Sequence, residues 1–197
     1  MNTGTTIETK RLLLIPGNNA RDDVPFTHML RKDGSFREFC GLEFREKYLD
    51  EFRNYFERTG HEECVYSIFR KDEPDNKFIG YVGFHREHNS RYELEFYISQ
   101  LERKKGYCEE ACKAVIELIF SEGISVDGNV LRVQKLYATT LTENLPAIHL
   151  LSKLGFERDR SKDGSAFVME GFEDKESGEF LFWTVFKYVL ENGGADT

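Results

Sequence analysis

The chain has no apolar stretch approaching the ~18 residues that a membrane-spanning helix needs. Its N-terminus, "MNTGTTIETKRLLLIPG", holds only a four-residue apolar run, too short for the core of a secretory signal. Both absences make the cytoplasm the expected location, with no membrane partner. Cysteine is scarce: Cys40, Cys64, Cys108 and Cys112 form no CxxC pair. Cys108 and Cys112 fall four apart on one helical face without an obvious third ligand, so they read as buried thiols. His85 and His88 flank an expected hairpin turn and give no stronger sign of a metal, so none is expected. A basic surplus is also missing. The net charge of −8 argues against nucleic-acid binding. It is compatible with a cationic substrate or partner, and equally with plain solubility. Neither GxxxxGK(S/T) nor GxGxxG occurs, which speaks against a nucleotide-hydrolysing enzyme and a dinucleotide oxidoreductase.

What is present fits a globular protein, with 40% hydrophobic and 31% charged residues among 197. That length suits one domain, 1–197, with its own core and a disordered tail from about 192 to 197. "RLLLIPG" (Arg11 to Gly17) predicts a first strand stopped by Pro-Gly. Asp22, Asp23 and Pro25 predict a helix start before "FTHMLRK", and "REKYLDEFRNYFERTG" predicts a second helix. "CVYSIFRK", "KFIGYVGFHRE" and "YELEFYIS" then read as three antiparallel strands joined by polar turns. Helical period resumes after Gly106, with Cys108, Ala111, Cys112, Val115, Leu118 and Ile119 on one face. "VQKLYATTL" predicts a strand, "ENLPAIHLLSKLG" a short helix closed by Gly155, and "SAFVMEGF" with "FLFWTVFKYVL" a last hairpin. The order implies an α+β, or mixed α/β, sheet rather than a doubly wound parallel one.

The segment "ERKKGYC" stands where the fourth strand gives way to a helix. A helix start presents unsatisfied N–H groups and the positive end of the helix dipole, and so favours an anion. Gly106 lets a ligand approach the backbone, and Arg103, Lys104 and Lys105 add positive charge. A phosphate cradle and a solvated basic turn both fit this pattern.

The residues Arg103-Lys104-Lys105-Gly106-Tyr107-Cys108 resemble the Q/R-x-x-G-x-G/A pyrophosphate loop of the GCN5-related N-acetyltransferase (GNAT) superfamily. "ENLPAIHLLSKLGF" is similar to that superfamily's second motif, through Asn144, Ala147, Leu150, Leu154, Gly155 and Phe156. "IETKRLLL" and "YELEFYISQLERKKGYCEEA" resemble its ribosomal-protein N-terminal acetyltransferase branch. The resemblance runs from Ile7 to about Phe156. It implies a mostly antiparallel central sheet of about seven strands, splayed between the fourth and fifth and flanked by helices.

By this resemblance, acetyl-coenzyme A would sit in the gap between "YELEFYIS" and "KLYATTL". Backbone N–H groups from Arg103 through Cys108 (Arg103, Lys104, Lys105, Gly106, Tyr107 and Cys108) would hold its pyrophosphate. Its pantetheine arm would pair with the backbone near Ile98 and Ser99, and Asn144 would bond it from the other side. Asn144 could equally cap the helix that follows. Cys108 departs from the usual Gly or Ala, although a thiol is little larger than a methyl. The reaction would be direct attack of a neutral amine on the thioester, an acetyl transfer that uses no metal. The amine arrives protonated, with a pKa of about 10 for a lysine-like group or about 8 for an α-amine, and must lose a proton. Glu95 and Glu93, two apart on one strand face, are the candidate bases, with Glu95 nearer the splay. A backbone N–H near Ile98 would stabilise the oxyanion. The superfamily's frequent tyrosine acid has no counterpart, because Leu151 occupies its place. Ser152 is adjacent, and solvent can protonate the thiolate.

The resemblance implies a primary amine as acceptor, either a protein N-terminus or a small molecule. Its pocket should be walled by residues 26–60 and the last hairpin, where Phe26, Phe36, Phe39, Tyr48, Phe52, Tyr55, Phe56, Phe180, Phe182 and Trp183 read chiefly as core. The missing tyrosine and Cys108 leave open a non-catalytic module that binds acyl-coenzyme A or a protein. Monomer and homodimer are both compatible with the sequence.

Overall fold

The computed structural model describes residues 6–33, 64–72, 77–87, 91–126, 129–159, 166–174 and 179–193. The predicted helix "REKYLDEFRNYFERTG", Cys40, His88 and the aromatics from Phe36 to Phe56 lie outside these, as do the side chains of Phe180, Phe182 and Trp183.

Short strand β1 (Ile7–Glu8) leads to β2 (Leu12–Pro16), where Pro16 and Gly17 end the apolar run. Helix α1 (Asn19–Lys32) follows. It begins a turn earlier than the acidic Asp22-Asp23-Pro25 signal suggests, because Asn18 is the true cap and its side chain accepts from the Arg21 N–H at 3.2 Å. Pro25 sits inside the helix rather than at its start. The meander appears as β3 (Cys64–Arg70), β4 (Phe78–Arg86) and β5 (Tyr92–Ile98). A 3-10 turn at Gln100–Glu102 precedes helix α2 (Tyr107–Glu122), whose buried face is Tyr107, Ala111, Cys112, Val115, Ile116 and Ile119. A ribbon of β6 (Ile124–Val126) and β7 (Asn129–Leu131) was not foreseen and forms a separate sheet. The chain then runs through β8 (Lys135–Leu141), α3 (Leu145–Lys153), β9 (Glu157–Arg158), β10 (Phe167–Asp174) and β11 (Glu179–Glu191). Asn192, within the expected tail, is tied down by its N–H to Gln134 O at 2.8 Å.

The main sheet has nine strands in the order β1-β2-β3-β4-β5-β8-β11-β10, with β9 paired to β11. The count exceeds the expected seven because β1 and β9 are two-residue strands too short to show a period. Each pair is antiparallel except β5 with β8. Alternation along each strand divides the sheet into two faces. On one, Leu12, Leu14, Ile68, Leu94, Ile98 and Leu136 pack with Ala111, Cys112, Val115 and Ile119 of α2 and Leu151 of α3. On the other, Phe26 and Leu30 of α1 pack with Val65 and Tyr97, and the Phe26 ring meets Tyr81 edge-on at 5.4 Å. Burying such side chains contributes roughly 1.5–3 kcal/mol each. Asp22 fastens α1 to this face, accepting from Ser67 Oγ at 2.5 Å and the Asn18 N–H at 2.8 Å.

Candidate functional site

The two central strands hardly touch. β5 follows β4 along its whole length, from Tyr92 opposite Arg86 to Ile98 opposite Gly80, while β8 follows β11 from Lys135 opposite Glu191 to Leu141 opposite Val185. Between β5 and β8 only Tyr92 with Leu136 and Glu93 with Tyr137 are in register, and beyond them the strands part. The sheet is therefore two halves joined by a two-residue bridge, with a gap opening toward Ile98. The Ser99 N–H donates to Ile79 O of β4 at 2.8 Å. Backbone alternation then turns the N–H groups of Phe96 and Ile98 toward the gap.

At the open end, Lys104 and Gly106 are both left-handed, with φ of 62° and 81°, and Gly106 caps α2 without a side-chain bond. The amides of Gly106, Tyr107, Cys108 and Glu109 donate to no acceptor among the described residues. Arg11 shapes this loop: its Nη1 donates to Lys105 O at 2.8 Å, which turns the Gly106 N–H of the same trans peptide the opposite way. The Arg11 guanidinium also lies 4.6 Å from the Tyr107 ring centroid. Cys108 directs its thiol to Cys112 rather than outward, and burial pushes the Cys112 thiol up. Two carboxylates in the first turn would oppose an anion, but each is neutralised: Glu109 by Lys113 at 2.8 Å and Glu110 by Arg11 at 2.6 Å.

The three loop cations differ in what they do. Arg103 folds back, pairing with buried Asp33 at the end of α1 and donating from Nε to Ile98 O at 3.0 Å; the Tyr97 hydroxyl also donates to Asp33, at 2.5 Å. Lys105 Nζ lies 2.8 Å from Glu102, which is 3% exposed and also holds Lys77 at 3.0 Å and Arg70 at 3.4 Å. Burial pushes the Glu102 carboxyl up, but the bonds from Lys105 and Lys77 outweigh it and hold the group below its ordinary range. Lys104 is exposed and makes no ion pair with the described residues.

Glu93 and Glu95 share the α1 face, as their spacing predicts. Glu93 stands at the closed end, where Thr139 of β8 hydrogen-bonds it across the gap; burial nevertheless raises its pKa above the usual carboxylate value. Glu95 is two residues nearer the open end. Its Oε1 lies 2.7 Å from His85 Nδ1, and His85 Nε2 lies 2.8 Å from Glu87 Oε1. The Glu95 bond, more than any other effect, pushes the His85 pKa up to about 9. His85, Glu87 and Glu93 also bring ligand atoms within 4.8 Å of one another. That spacing could suit a cation, but an imidazolium bonded on both nitrogens has no lone pair to offer one. Sequence reasoning missed His85, Asp33 and Glu102 as site residues. The hairpin register, which sets His85 opposite Glu93, was the one available signal for the histidine.

Asn144 caps α3, accepting from the Ala147 N–H at 3.1 Å. Ser99 has both backbone groups occupied, its carbonyl accepting from the Glu102 N–H at 2.8 Å. Leu151 is buried and Ser152 exposed. A separate open groove of about 490 Å³ lies between β1 and the outer face of α2, four strands away from the gap along the sheet and lined by Glu8, Lys113 and Glu117 among others. No helix is long and apolar enough to cross a membrane among the described residues.

A family model described as an acetyltransferase (GNAT) domain matches residues 11–157. Among curated protein sequences no match is found. Solved structures share the fold. A GNAT-family acetyltransferase from Bacillus anthracis superposes with a TM-score of 0.66 at 18% identity, covering 95% of this chain and 99% of that one. An acetyltransferase from Salmonella typhimurium, described as modifying the N-terminal serine of ribosomal protein L7/L12, gives 0.68 at 12%, covering 95% and 99%. A spermidine N-acetyltransferase from Vibrio cholerae, in complex with coenzyme A and spermine, gives 0.64 at 17%, covering 93% and 97%.

Proposed function

This chain belongs to the GNAT acetyltransferase family, and from that premise we propose that it transfers an acetyl group from acetyl-coenzyme A to a primary amine. One observation carries the reading: β5 and β8 part beyond their two-residue bridge, and the gap opens onto a helix start that has no side-chain cap. The donors at each end match the chemistry of the donor molecule. Diphosphate oxygens suit the bare amides of residues 106–109, with Lys104 the cation nearest to hand. An amide-bearing arm suits the N–H groups of Phe96 and Ile98, which would receive it as a strand is received. Ser99 contributes little backbone capacity to this pairing, and Asn144 acts first as a helix cap.

In this reading Glu95 takes the amine's proton; it lies two residues beyond the bridge, whereas Glu93 stands in the bridge and is bonded by Thr139. An amide donor such as the Ile98 N–H would stabilise the tetrahedral oxyanion. With Leu151 buried where a tyrosine would act, water protonates the departing thiolate. The acceptor is a protein N-terminus or a small amine. A cationic acceptor agrees with the carboxylates on this face and with the net charge of −8.

The test is coenzyme A release from acetyl-coenzyme A with peptides, polyamines and amino acids as acceptors, beside calorimetry of cofactor binding. Turnover of at least one amine is expected, with Glu95→Gln reducing kcat/KM by roughly 10²-fold or more at neutral pH while cofactor affinity holds. Tight cofactor binding with no amine acetylated would instead indicate a non-catalytic binder.

A further inference from the structure

His85 lies outside the cofactor gap, yet it is the group to which the candidate base is tied. It is half-buried on the α1 face, between the Glu95 carboxylate of β5 and the exposed Glu87 carboxylate. The charged groups that act on its ring are Glu95 and Glu93 from β5 and Glu87 just after β4. Glu93 in turn is bonded by Thr139 of β8 and lies near Lys187 of β11. A carboxylate alone is a poor match for an ammonium group whose pKa is about 8–10, because proton transfer is most efficient between groups of similar basicity. An imidazole flanked by carboxylates is a closer match.

We propose that His85 is a positioning and proton-accepting residue that acts through Glu95, and that Glu87 completes a relay from the acceptor amine to water. The inference rests on the acetyl transfer proposed above. With His85 neutral, the ammonium R–NH3+ gives one proton to the Glu95 carboxylate, and Glu95 passes one to His85 Nδ1, ending as the carboxylate it began. The Nε2 proton leaves through Glu87 to solvent. The freed amine attacks the thioester carbonyl: a C–N bond forms, the C–S bond breaks, and the second amine proton passes through water to the coenzyme A sulfur. Three N–H protons thus become one amide proton, one thiol proton and one released to water.

Because the relay needs neutral imidazole, kcat/KM should rise with pH as His85 loses its proton. Glu87 helps hold that proton, so Glu87→Gln should move the rising limb to lower pH, by about half a unit or more. The ionisation of the acceptor itself also gives a rising limb, but that limb cannot respond to Glu87. His85→Gln keeps a hydrogen bond to Glu95 but cannot carry a proton. It should lower kcat/KM by roughly 10²-fold, leave the acetyl-coenzyme A dissociation constant unchanged, and abolish the response to Glu87→Gln. The two single variants and the double variant are measured in the whole chain with the best amine of the panel, and melting curves check their folding. Glu87 is exposed, so its variant remains informative if His85→Gln unfolds. A wild-type pH profile in Glu87→Gln, or wild-type turnover in folded His85→Gln, overturns the relay alone. Cofactor binding without turnover of any amine by the wild type overturns the acetyl transfer and the relay together.

Discussion

Gly106 is the residue where a side chain would do most harm at the loop. Its φ of 81° lies in the left-handed region, and an added Cβ would stand 3.3 Å from Arg11 Nη2. The arginine tip can move; the backbone conformation cannot be had without strain of roughly 1–2 kcal/mol. Gly106→Val should therefore weaken acetyl-coenzyme A binding by tenfold or more, whereas unchanged calorimetric affinity would show that the amides here are not the anion site. His85 supplies a second residue-level expectation, about stability rather than rate. Its pKa rises from 6.5 to about 9 on folding, chiefly through the Glu95 bond. A raised pKa stabilises the fold fully below pH 6.5, and the contribution fades as pH climbs through 9. The amount at stake is at most about 3 kcal/mol. Urea titrations of wild type and His85→Gln should converge as pH rises from 6.5 to 9, and a constant difference would contradict the ion pair.

At the scale of elements, α2 is joined to the first strands by one carboxylate. Glu110 accepts from Thr9 Oγ1 at 2.6 Å, the Arg11 N–H at 2.8 Å and Arg11 Nε at 2.6 Å. Glu110→Ala should cost about 1–3 kcal/mol and loosen the turn between β1 and β2. It should also release Arg11 from its place beside Lys105 O, so a lower melting temperature should come with weaker cofactor binding; an unaltered melting temperature would refute the staple. Elements of this kind show how far the sequence could be read. The five strands of five or more residues before β10 and the last hairpin announced themselves through alternation and turns, and α2 through its period. β1 and β9 did not, because two residues carry no period, and the Asn18 cap was masked by a more conspicuous acidic pair. The loop and Glu95 were legible as a motif and a spacing. The Asp33 pair of Arg103 and the bonds of Arg70 and Lys77 to Glu102 join residues far apart in the chain, and no local pattern records such meetings.

For the whole molecule, the parted strands leave main-chain donors of Phe96 and Ile98 without a strand partner in the middle of a nine-stranded sheet. Acetyl-coenzyme A that lies along β5 should shield those amides, so hydrogen exchange at the two positions should slow on binding while exchange along β4 changes little. Equal exchange with and without the ligand would place it elsewhere.

The two-residue bridge also works as the spine of an open book. Each page is stitched to its outer neighbours, but little backbone bonding resists a small turn of one page against the other. A substrate laid in the fold would act as a binding thread, and the empty protein should melt over a broader temperature range than the filled one.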